Sequence, residues 1–452
     1  MKNVLVIGGG AREHAIVEAC VNSKPRPNIF AWMKKILNPG IAALADKVSV
    51  GNTYQDLMDF VRACNDISSL AVIGPEEPLD YGVADSLDDI SLEAIGIPTV
   101  GPRQELARLE TSKSFTRLLM EKYQIPSSPK FKIFITTHGI EEYLERNMPV
   151  VLKPDGLTGG KGVQVQGEHF ETMAEALKIC QEILREHWAV VVEEKLDGEE
   201  FSLQCFTDGR IVAPTPPVRD HKRLFTGDQG PNTGGMGSYS CANHLLPFLT
   251  PSDLDQALAI IRRVIAALYM ETGQKYKGII YGNFMATADG VKVIEFNARF
   301  GDPEALNILP LLETDFMDIC RSIVLPEKYG RLNELNIKFK PLATVVKYVV
   351  PRGYGLPENI RHPARSDIVR IGDMGKAKLY YASVWHDKNG LHLTSSRALA
   401  VLGISPDLVD AEKIADRAAC NVAGHVAYRP DIGTAELIAK QVQHMNELKK
   451  NK

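Results

Sequence analysis

The 452-residue chain has no long apolar run, no closely paired cysteines and no strong excess of either charge. No hydrophobic stretch approaches the roughly 20 residues that a membrane-spanning helix needs. The seven cysteines are scattered, odd in number and never spaced as Cys-x-x-Cys, which argues against structural zinc and for reduced thiols in a cytoplasmic protein. The net charge of −4 gives no general reason to expect nucleic acid or an anionic membrane as a partner.

Length and composition are those of an ordinary globular protein with more than one folded unit. A chain of 452 residues, 44% hydrophobic and 24% charged, is too long for one typical core, so we expect two to four domains. The first residues, MKNVLVIGGGAREHA, contain a short apolar run and no small-residue cleavage site. This pattern favours a first strand over a secretory signal.

Hydrophobic periodicity divides the chain into three regions. Strand and helix patterns alternate over residues 1–104, which predicts an open, mostly parallel α/β sheet with helices on both faces. Residues 105–326 begin with a predicted helix, ELARLETSKSFTRLLMEKY, and continue in strand-rich sequence. Residues 327–452 carry short alternating strands followed by two helices, which predicts a small α+β domain.

Three glycines follow the first strand at residues 8–10. Dinucleotide-binding folds hold pyrophosphate at this place, but the third glycine of their fingerprint would fall at position 13, which is Glu13. A nicotinamide cofactor is therefore not expected, whereas a glycine-rich turn before a helix still suits a single phosphate. The alternative is a tight turn that requires positive φ.

A second glycine-rich stretch, KPDGLTGGKGV, covers residues 153–163. It fails the Walker pattern because Gly156 and Gly160 are separated by three residues and Lys161 is followed by glycine rather than Ser or Thr. The flanking segments PVVLK and GVQVQ both have strand patterns. We therefore predict a loop between two strands that binds an anion through lysines and backbone N–H groups, with an ordinary hairpin as the alternative.

The segment VKVIEFNARFGDPEA places two oxygen-bearing side chains on one face of a predicted strand. Glu295 and Asn297 are two residues apart, so both project to the same side. A carboxylate among Val, Ile and Phe is costly unless it is paired or bound to a cation, and two such oxygens suit Mg²⁺. Pairing of Glu295 with Arg299 is the alternative.

The segment DHKRLFTGDQGPNTGGMGSYS begins with a cluster of charged and titratable residues and continues with five glycines. The cluster comprises Asp220, His221, Lys222 and Arg223. We predict a long glycine-rich loop. A long structureless loop in a compact domain is normally functional.

Several of these segments carry a family resemblance. VVLKPDGLTGGKGV, VVVEEKLDGEEFS and VIEFNARFGDPE, in this order, resemble the ATP-grasp superfamily. VIGGGAREHA, GPEEPLDYGVAD and RDHKRLFTGDQGPNTGGMGSYS narrow the resemblance to its phosphoribosylamine–glycine ligase family, well over residues 1–325 and more loosely over the tail. The resemblance implies an α/β, ATP-grasp fold. It consists of an N-terminal open parallel-sheet substrate domain (1–104), an ATP-grasp domain (105–326, with a lid subdomain at about 127–196) and a small C-terminal α+β domain (327–452).

The resemblance also implies an activity. Members of the family use ATP with Mg²⁺ or Mn²⁺ to join glycine to 5-phosphoribosylamine, giving ADP, phosphate and glycinamide ribonucleotide in de novo purine synthesis. A carboxylate is a poor electrophile, so glycine must first be activated as glycyl phosphate before the amine attacks. Such chemistry is mostly positioning and charge neutralisation, and it needs no activated side-chain nucleophile.

Residues of this chain that match the family motifs carry the implied roles. The ATP-binding set is Lys113, Lys153, Gly156, Gly159, Gly160, Lys161, Gly162, Glu193, Lys195, Leu196 and Glu200, in which Glu193, Lys195 and Leu196 match the adenine hinge and Glu200 the acceptor of the ribose hydroxyls. The substrate-binding set is Gly8, Gly10, Arg12, Glu76, His221, Asn232, Thr233, Gly234, Gly235, Met236, Asp302 and Glu304. The catalytic set is Lys153, Asp220, Lys222 and Arg299, and the metal set is Glu295, Asn297 and Asn283.

One metal position departs from the superfamily pattern, and two other functions fit the motifs less well. Asn283 in IIYGNFMA stands where many members carry Asp or Glu, and a neutral amide is a weaker Mg²⁺ ligand. An ATP-grasp carboxylase is disfavoured by the DHKR and PNTGGMG segments, and a nucleotide sensor without turnover is disfavoured by the presence of Lys113, Lys153, Glu295 and Asn297. We expect glycine and 5-phosphoribosylamine as partners of a monomer or weak oligomer, without nucleic acid or membrane.

Overall fold

The N-terminal region is a five-stranded parallel sheet. The computed structural model describes residues 2–64, 70–88, 96–158, 162–356 and 367–450. The strands are β1 Asn3–Ile7, β2 Asn28–Lys34, β3 Lys47–Gly51, β4 Ala71–Ile73 and β5 Thr99–Val100, in the order β3-β2-β1-β4-β5. The helices are α1 Ala11–Val21, α2 Pro39–Leu44, α3 Tyr54–Ala63, α4 Glu76–Asp80 and α5 Val83–Asp88. All apolar residues of β1 are fully buried, as expected for a central parallel strand covered on both faces.

The segment after this sheet forms two helices rather than the one predicted. They are α6 Gln104–Thr111 and α7 Lys113–Lys122. Ser112 between them is extended (φ −138°, ψ 109°), and its hydroxyl accepts a hydrogen bond from the backbone N–H of Phe115 at 3.1 Å. Such an N-cap stabilises the start of a helix. The break places Lys113 in the first turn of α7.

The next unit is a four-stranded antiparallel sheet with a core of its own. It contains β6 Phe131–Phe134, α8 Ile140–Asn147, β7 Val150–Pro154, β8 Gln164–Val165, α9 Met173–Glu186 and β9 Val190–Glu194, in the strand order β6-β9-β7-β8. Its buried cluster includes Phe134, Leu144, Leu152 and Val192. Because β7 pairs antiparallel with β8, the KPDGLTGGKGV segment joins two strands, as predicted.

A second antiparallel sheet carries the VKVIEFN strand. Its strands are β10 Glu199–Thr207, β11 Val212–Pro214, β14 Gly278–Thr287 and β15 Gly290–Asn297, in the order β11-β10-β14-β15. The long helix α10 Pro251–Thr272 packs on it and begins with a capping box between Thr250 and Asp253. The helices that follow are α11 Glu304–Ile308, α12 Phe316–Val324 and α13 Pro326–Tyr329, with 3₁₀ turns at Leu309–Leu311 and Leu332–Glu334.

The glycine-rich segment predicted as a long loop is a strand pair, so that prediction was wrong. It forms β12 Arg219–Phe225 and β13 Gln229–Ser240, called the active-site hairpin below. β13 also pairs with β16 Ala343–Pro351, so its backbone groups are bonded on both sides. A Cβ atom at Gly237 would lie 2.2 Å from the carbonyl oxygen of Val346, which explains the glycine at this position.

The C-terminal region completes this third sheet and adds a fourth. β21 Leu399–Ser405 and β18 Lys378–Tyr381 extend the order to β12-β13-β16-β21-β18, and β23 Val426–Ala427 also pairs with β16. The fourth sheet has β17 Ile368–Ile371, β19 Val384–Asp387, β20 Gly390–Leu393 and β22 Val422–Ala423, and the final helices are α14 Leu408–Cys420 and α15 Ala435–Lys450. The third sheet therefore crosses the predicted 326/327 boundary, and the domain limits stay a prediction.

Two expectations from composition can be compared with the fold. All seven cysteines are unpaired, and six of them are buried. In the described parts of the chain, no helix has both the length and the apolar character needed to cross a membrane.

Candidate active site

A polar cavity of about 240 Å³ lies where the helices α6 and α7, the strands β7, β9 and β15 and the active-site hairpin meet. Its wall includes these predicted site residues: Arg12, Glu76, Lys113, Lys153, Gly156, Glu193, Asp220, Lys222, Thr233, Gly234, Glu295, Asn297, Arg299, Asp302 and Glu304. The other predicted residues of the described chain lie off the wall: Gly8, Gly10, Gly162, Lys195, Leu196, Glu200, His221, Asn232, Gly235, Met236 and Asn283. Gly159, Gly160 and Lys161 fall outside the described residues.

Lys153 is held in the wall by a buried ion-pair triad. Its Nζ lies 2.8 Å from Oε2 of Glu193 and donates to the carbonyl oxygen of Ile294 at 3.1 Å. Arg117 binds the same carboxylate through two hydrogen bonds of 2.7 and 3.0 Å. Burial opposes ionisation of Glu193, but Arg117 and Lys153 outweigh it and lower its pKa to about 2. The carboxylate of Glu193, predicted in the adenine hinge, is thus occupied in fixing the lysine.

Lys113 lies across the cavity wall at the start of α7. Its Nζ donates to the carbonyl oxygen of Gly156 at 2.8 Å, and burial lowers its pKa. Asp155 accepts from the backbone N–H of Ser114 at 3.0 Å and from the hydroxyl of Ser112 at 3.1 Å. The beginning of the glycine-rich loop is therefore tied to the helix that carries Lys113. Sequence reasoning missed Asp155, although an acid beside a helix N-terminus is a favourable arrangement.

A second ionic group connects β10 with the active-site hairpin. Nζ of Lys222 lies 2.9 Å from Oε2 of Glu200 and 3.4 Å from Oδ2 of Asp220. Burial opposes ionisation of Glu200, yet Lys222 and Arg219 lower its pKa to about 2. Lys195 is exposed, and its Nζ donates to the carbonyl oxygen of Gln166 at 2.8 Å.

The three predicted metal-binding residues lie together. Asn283 on β14 is directly opposite Glu295 on β15, and the side chains of Glu295 and Asn297 reach the cavity. Oδ1 of Asn283 is buried and has no hydrogen-bond donor. No cluster of three or more His, Cys, Asp or Glu in the described residues could hold a metal ion. One carboxylate with amide oxygens nevertheless fits Mg²⁺, which takes few protein ligands and fills its shell with water and phosphate.

Arg299 is paired with two acids, neither of which is Glu295. Its Nη2 lies 2.9 Å from Oε1 of Glu110, and its Nε lies 3.2 Å from Oε2 of Glu76. Burial opposes ionisation of Glu76, but Arg299 and Arg12 lower its pKa to about 2, whereas burial and Glu76 raise the pKa of Glu110 to about 7 despite Arg299. The alternative in which Arg299 neutralises Glu295 is therefore not what the structure shows. Glu110 was missed because nothing near it in sequence marks it.

Acidic side chains also face the cavity from the hairpin and from α11. Oδ1 of Asp220 is buried without a hydrogen-bond partner, and Oε1 of Glu304 accepts from the hydroxyl of Tyr281 at 2.9 Å. Burial and the charge of Asp220 raise the pKa of Glu304 to about 7. An ammonium group placed between these acids would satisfy the free oxygen and relieve their repulsion.

The N-terminal glycine turn, predicted to suit a phosphate, has one of its backbone N–H groups already bonded within the turn. Oε2 of Glu13 accepts from the backbone N–H of Gly10 at 2.6 Å, and a Cβ atom at Gly8 would lie 2.6 Å from the Glu13 side chain. The residue that breaks the dinucleotide fingerprint thus occupies the helix N-terminus itself. Gly8 and Gly10 lie off the cavity wall, and phosphate binding at this turn stays a prediction. Arg12 reaches the cavity wall and donates to the carbonyl oxygen of Phe300 at 3.0 Å.

Three predicted residues of the active-site hairpin that lie off the cavity wall make structural contacts instead. His221 bonds Asp228, Met236 packs in a hydrophobic core, and Asn232 pairs with Arg223 in the β12–β13 ladder. These three are therefore placed behind the cavity and not in it.

Arg397, from the C-terminal region, is a wall residue that sequence reasoning missed. It lies just before β21 and donates to the carbonyl oxygens of Gly234 at 2.6 Å and Asp302 at 3.0 Å. Its Nη2 also lies 3.0 Å from the Asp302 carboxylate. A single arginine before a buried strand carries no sequence signal, so the tertiary structure was needed to find it.

Comparison with known proteins finds relatives along the whole chain. Two family models match consecutive parts of the chain: "Phosphoribosylglycinamide synthetase, N domain" over residues 2–110 and "Phosphoribosylglycinamide synthetase, ATP-grasp (A) domain" over residues 111–305. The phosphoribosylamine–glycine ligase of Methanosarcina barkeri is 46% identical over 448 residues, covering 99% of each chain. That of Methanothermobacter thermautotrophicus is 43% identical, also covering 99% of each chain.

Solved structures share the fold. The phosphoribosylamine–glycine ligase of Thermotoga maritima matches with a TM-score of 0.75 at 24% identity, covering 95% of this chain and 99% of that one. A biotin carboxylase from Campylobacter jejuni matches with a TM-score of 0.68 at 13% identity, covering 98% and 95%. The second likeness concerns the ATP-grasp fold alone, whereas the full-length sequence identity is specific. The chain belongs to the phosphoribosylamine–glycine ligase family of ATP-grasp enzymes.

Proposed function

We propose that the chain is an ATP-dependent ligase that joins glycine to 5-phosphoribosylamine in purine biosynthesis, giving glycinamide ribonucleotide, ADP and phosphate. The observation that carries this is the composition of one cavity wall. It combines two lysines, Lys113 and Lys153, with the oxygen ligands of β15 and with the acids of the active-site hairpin and α11. These groups suit the binding, positioning and charge neutralisation that direct transfer between bound substrates requires.

ATP binds between the β6–β9 sheet and the β10–β15 sheet in this proposal. Lys113 and Lys153 neutralise the phosphates, and Gly156, which follows β7, borders them on the cavity wall. The segment of Glu193, Lys195 and Leu196 borders the adenine, and Glu200 faces the ribose hydroxyls. The Arg117–Glu193–Lys153 triad supports the arrangement because it holds Lys153 in place before ATP arrives.

Glu295, Asn297 and Asn283 would hold Mg²⁺ or Mn²⁺. The ion, when bound, supplies positive charge to the ATP phosphates. The unpartnered Oδ1 of Asn283, opposite Glu295, supports its inclusion in the set.

Glycine and the ribosylamine bind on the hairpin side of the cavity. Asp220 and Glu304 accept the ammonium group of glycine, and Lys222 and Arg299 attract its carboxylate. The ribosylamine meets Arg12, Glu76, Thr233, Gly234 and Asp302. Placing both substrates within one cavity supplies the positioning on which this reaction depends.

The reaction proceeds in two transfers. A carboxylate oxygen of glycine attacks the γ-phosphorus of ATP, and the bond to ADP breaks, leaving glycyl phosphate. The amine nitrogen of phosphoribosylamine then attacks the acyl carbon, and phosphate leaves with one former glycine oxygen while the nitrogen loses a proton. The lysines and Arg299 stabilise the developing negative charge.

Isotope transfer tests this proposal. With ¹⁸O in the glycine carboxylate, one labelled oxygen should appear in inorganic phosphate per turnover, and ADP release should require both other substrates. AMP and pyrophosphate would show adenylation instead. Unlabelled phosphate would exclude glycyl phosphate.

We also propose that the chain acts in the cytoplasm as a monomer or weak oligomer, without nucleic acid or membrane as a partner. The net charge of −4 and the unpaired cysteines support this. Sedimentation at micromolar concentration tests the oligomeric state, and a stable higher oligomer would contradict it.

A further inference from the structure

The tip of the active-site hairpin, Gly227 and Asp228, is held by hydrogen bonds to two residues near the C-terminus. Arg429 donates to Oδ1 of Asp228 at 2.6 Å and to the carbonyl oxygen of Arg223 at 3.1 Å. Asp431 accepts from the backbone N–H of Gly227 at 2.9 Å and binds Arg429 through two hydrogen bonds of 2.6 and 3.0 Å. The guanidinium group is 1% exposed. A contact of this kind fixes both the backbone and a side chain of the tip.

The segment 429–431 is itself hydrogen-bonded to a buried lysine. Nζ of Lys347 on β16 donates to the carbonyl oxygen of Pro430, which lies between Arg429 and Asp431, at 2.6 Å. The same ammonium group binds Glu412 at 2.5 Å and Asp416 at 2.8 Å, both on α14. Buried charges of this kind add little net stability compared with apolar packing, so their use suggests a requirement for one defined geometry.

The hairpin transmits this geometry to the cavity. In β12 the side chains of Asp220 and Lys222 face the cavity, while His221 between them points to the other side and bonds Asp228 at 3.0 Å. Thr233 on β13 donates to the carbonyl oxygen of Lys222 at 2.9 Å. Asp228, which Arg429 holds, is thus hydrogen-bonded to His221, the residue between Asp220 and Lys222.

We propose that Arg429 and Asp431 are positioning residues for the glycine subsite, acting through Asp228 and His221 on the strand that carries Asp220 and Lys222. This inference rests on the proposed function, because it requires that these two side chains bind glycine. Small displacements of substrate-binding groups are costly to rate even when they originate far from the reacting atoms. The proposed ATP-binding lysines, Lys113 and Lys153, lie on α7 and β7. In the described residues, the side-chain hydrogen bonds of Arg429 and Asp431 go to the active-site hairpin and to each other.

The test compares Arg429→Met with Arg417→Met in the full-length chain. Arg417 lies on α14 with a 75% exposed side chain, so it matches the chemical change without touching the hairpin. For Arg429→Met, kcat/KM for glycine should fall about tenfold or more. KM for ATP should rise by a smaller factor, because Lys222 also contacts Glu200 of the proposed ATP site. Arg429→Lys, which keeps the charge but not the forked geometry, should fall in between, and Arg417→Met should match the wild type.

A purely structural role gives a different pattern. It would lower the concentration of active enzyme, reducing kcat with every substrate alike and leaving KM for glycine unchanged, and this result overturns the inference. If Arg429→Met does not fold, Asp431→Asn carries the same test, because it keeps the size of the side chain. Its kcat/KM for glycine should fall about threefold or more, with a smaller rise in KM for ATP.

Lys222→Met separates this inference from the proposed function. A normal KM for glycine in Lys222→Met would refute the glycine assignment itself. A raised KM for glycine in Lys222→Met, together with normal kinetics in Arg429→Met, would refute the positioning role alone.

Discussion

The Arg117–Glu193–Lys153 triad allows a structural residue and a functional residue to be separated by experiment. Arg117 makes two hydrogen bonds to Glu193 and donates to the carbonyl oxygens of Val293 at 3.2 Å and Ile294 at 2.8 Å. Lys153 makes one contact with Glu193 at 2.8 Å and lies on the cavity wall. We therefore predict that Arg117→Met chiefly lowers stability, and that Lys153→Met chiefly lowers the use of ATP.

The magnitudes follow from what each variant leaves behind. Arg117→Met leaves the Glu193 carboxylate, whose side chain is 4% exposed, with a single cation, and breaking a buried pair in this way costs about 3–5 kcal/mol. After Lys153→Met, Glu193 keeps both hydrogen bonds from Arg117, so the loss of stability should be about 1–3 kcal/mol. Loss of the charged contact to phosphate, about 1.5–3 kcal/mol, lowers kcat/KM for ATP by about ten- to a hundredfold.

Urea unfolding and steady-state kinetics at saturating glycine and ribosylamine measure the two effects. Conditions must keep both variants folded, and rates are divided by the folded fraction. The urea midpoint should be lower for Arg117→Met than for Lys153→Met. The kcat/KM for ATP should be lower for Lys153→Met than for Arg117→Met. Unchanged ATP dependence in Lys153→Met would remove this lysine from the site, and equal urea midpoints would refute the account of the triad.

Three further outcomes are expected. The pKa of Glu193 in the folded protein is about 2, against an ordinary 4.5, so the stabilisation from its charge is complete above pH 4.5 and is lost as pH falls toward 2. Over this pH range, Glu193→Gln should lose about 3 kcal/mol less stability than the wild type, as measured by urea unfolding. The pKa of Glu304 is raised to about 7, so the stability that its protonated form contributes is present below pH 4.5 and is lost as pH rises through 7. Glu304→Gln should therefore be about 1–3 kcal/mol more stable than the wild type at pH 8 but not at pH 4. Glu295→Gln should raise the Mg²⁺ concentration for half-maximal activity far more than Asn283→Asp does, because it removes a full charge; unchanged metal dependence in both variants would place the ion elsewhere.

Predictions that depended on a local period agree with the structure. The strands VKVIEFN and PVVLK form where the pattern of apolar residues indicated. Glu295 and Asn297 share a face because side chains alternate along any strand. The KPDGLTGGKGV segment joins two strands because apolar strand patterns flank it on both sides.

The active-site hairpin shows where local patterns stop being informative. Its glycines and polar residues favour a loop, since nothing in the segment itself has a strand period. The segment forms strands because β13 pairs with β16, and Gly237 lies beside Lys347, 110 residues further along the chain. Backbone pairing with a distant strand outweighs the low propensity of the segment.

The set of chemical groups and their spacing within each element follow directly from the order of the amino acids. The motifs of the sequence were sufficient for the family and for naming the lysines, acids and amides that we propose for the site, because these depend on residue type and on short-range order. Only the tertiary structure showed that Glu13 occupies the amide of Gly10, that Arg117 holds Glu193 from 76 residues away, and that Arg397 reaches Gly234 across 163 residues. Such partnerships depend on how separate sheets and helices pack, and the free energy of a buried charge is decided by the groups that packing brings to it.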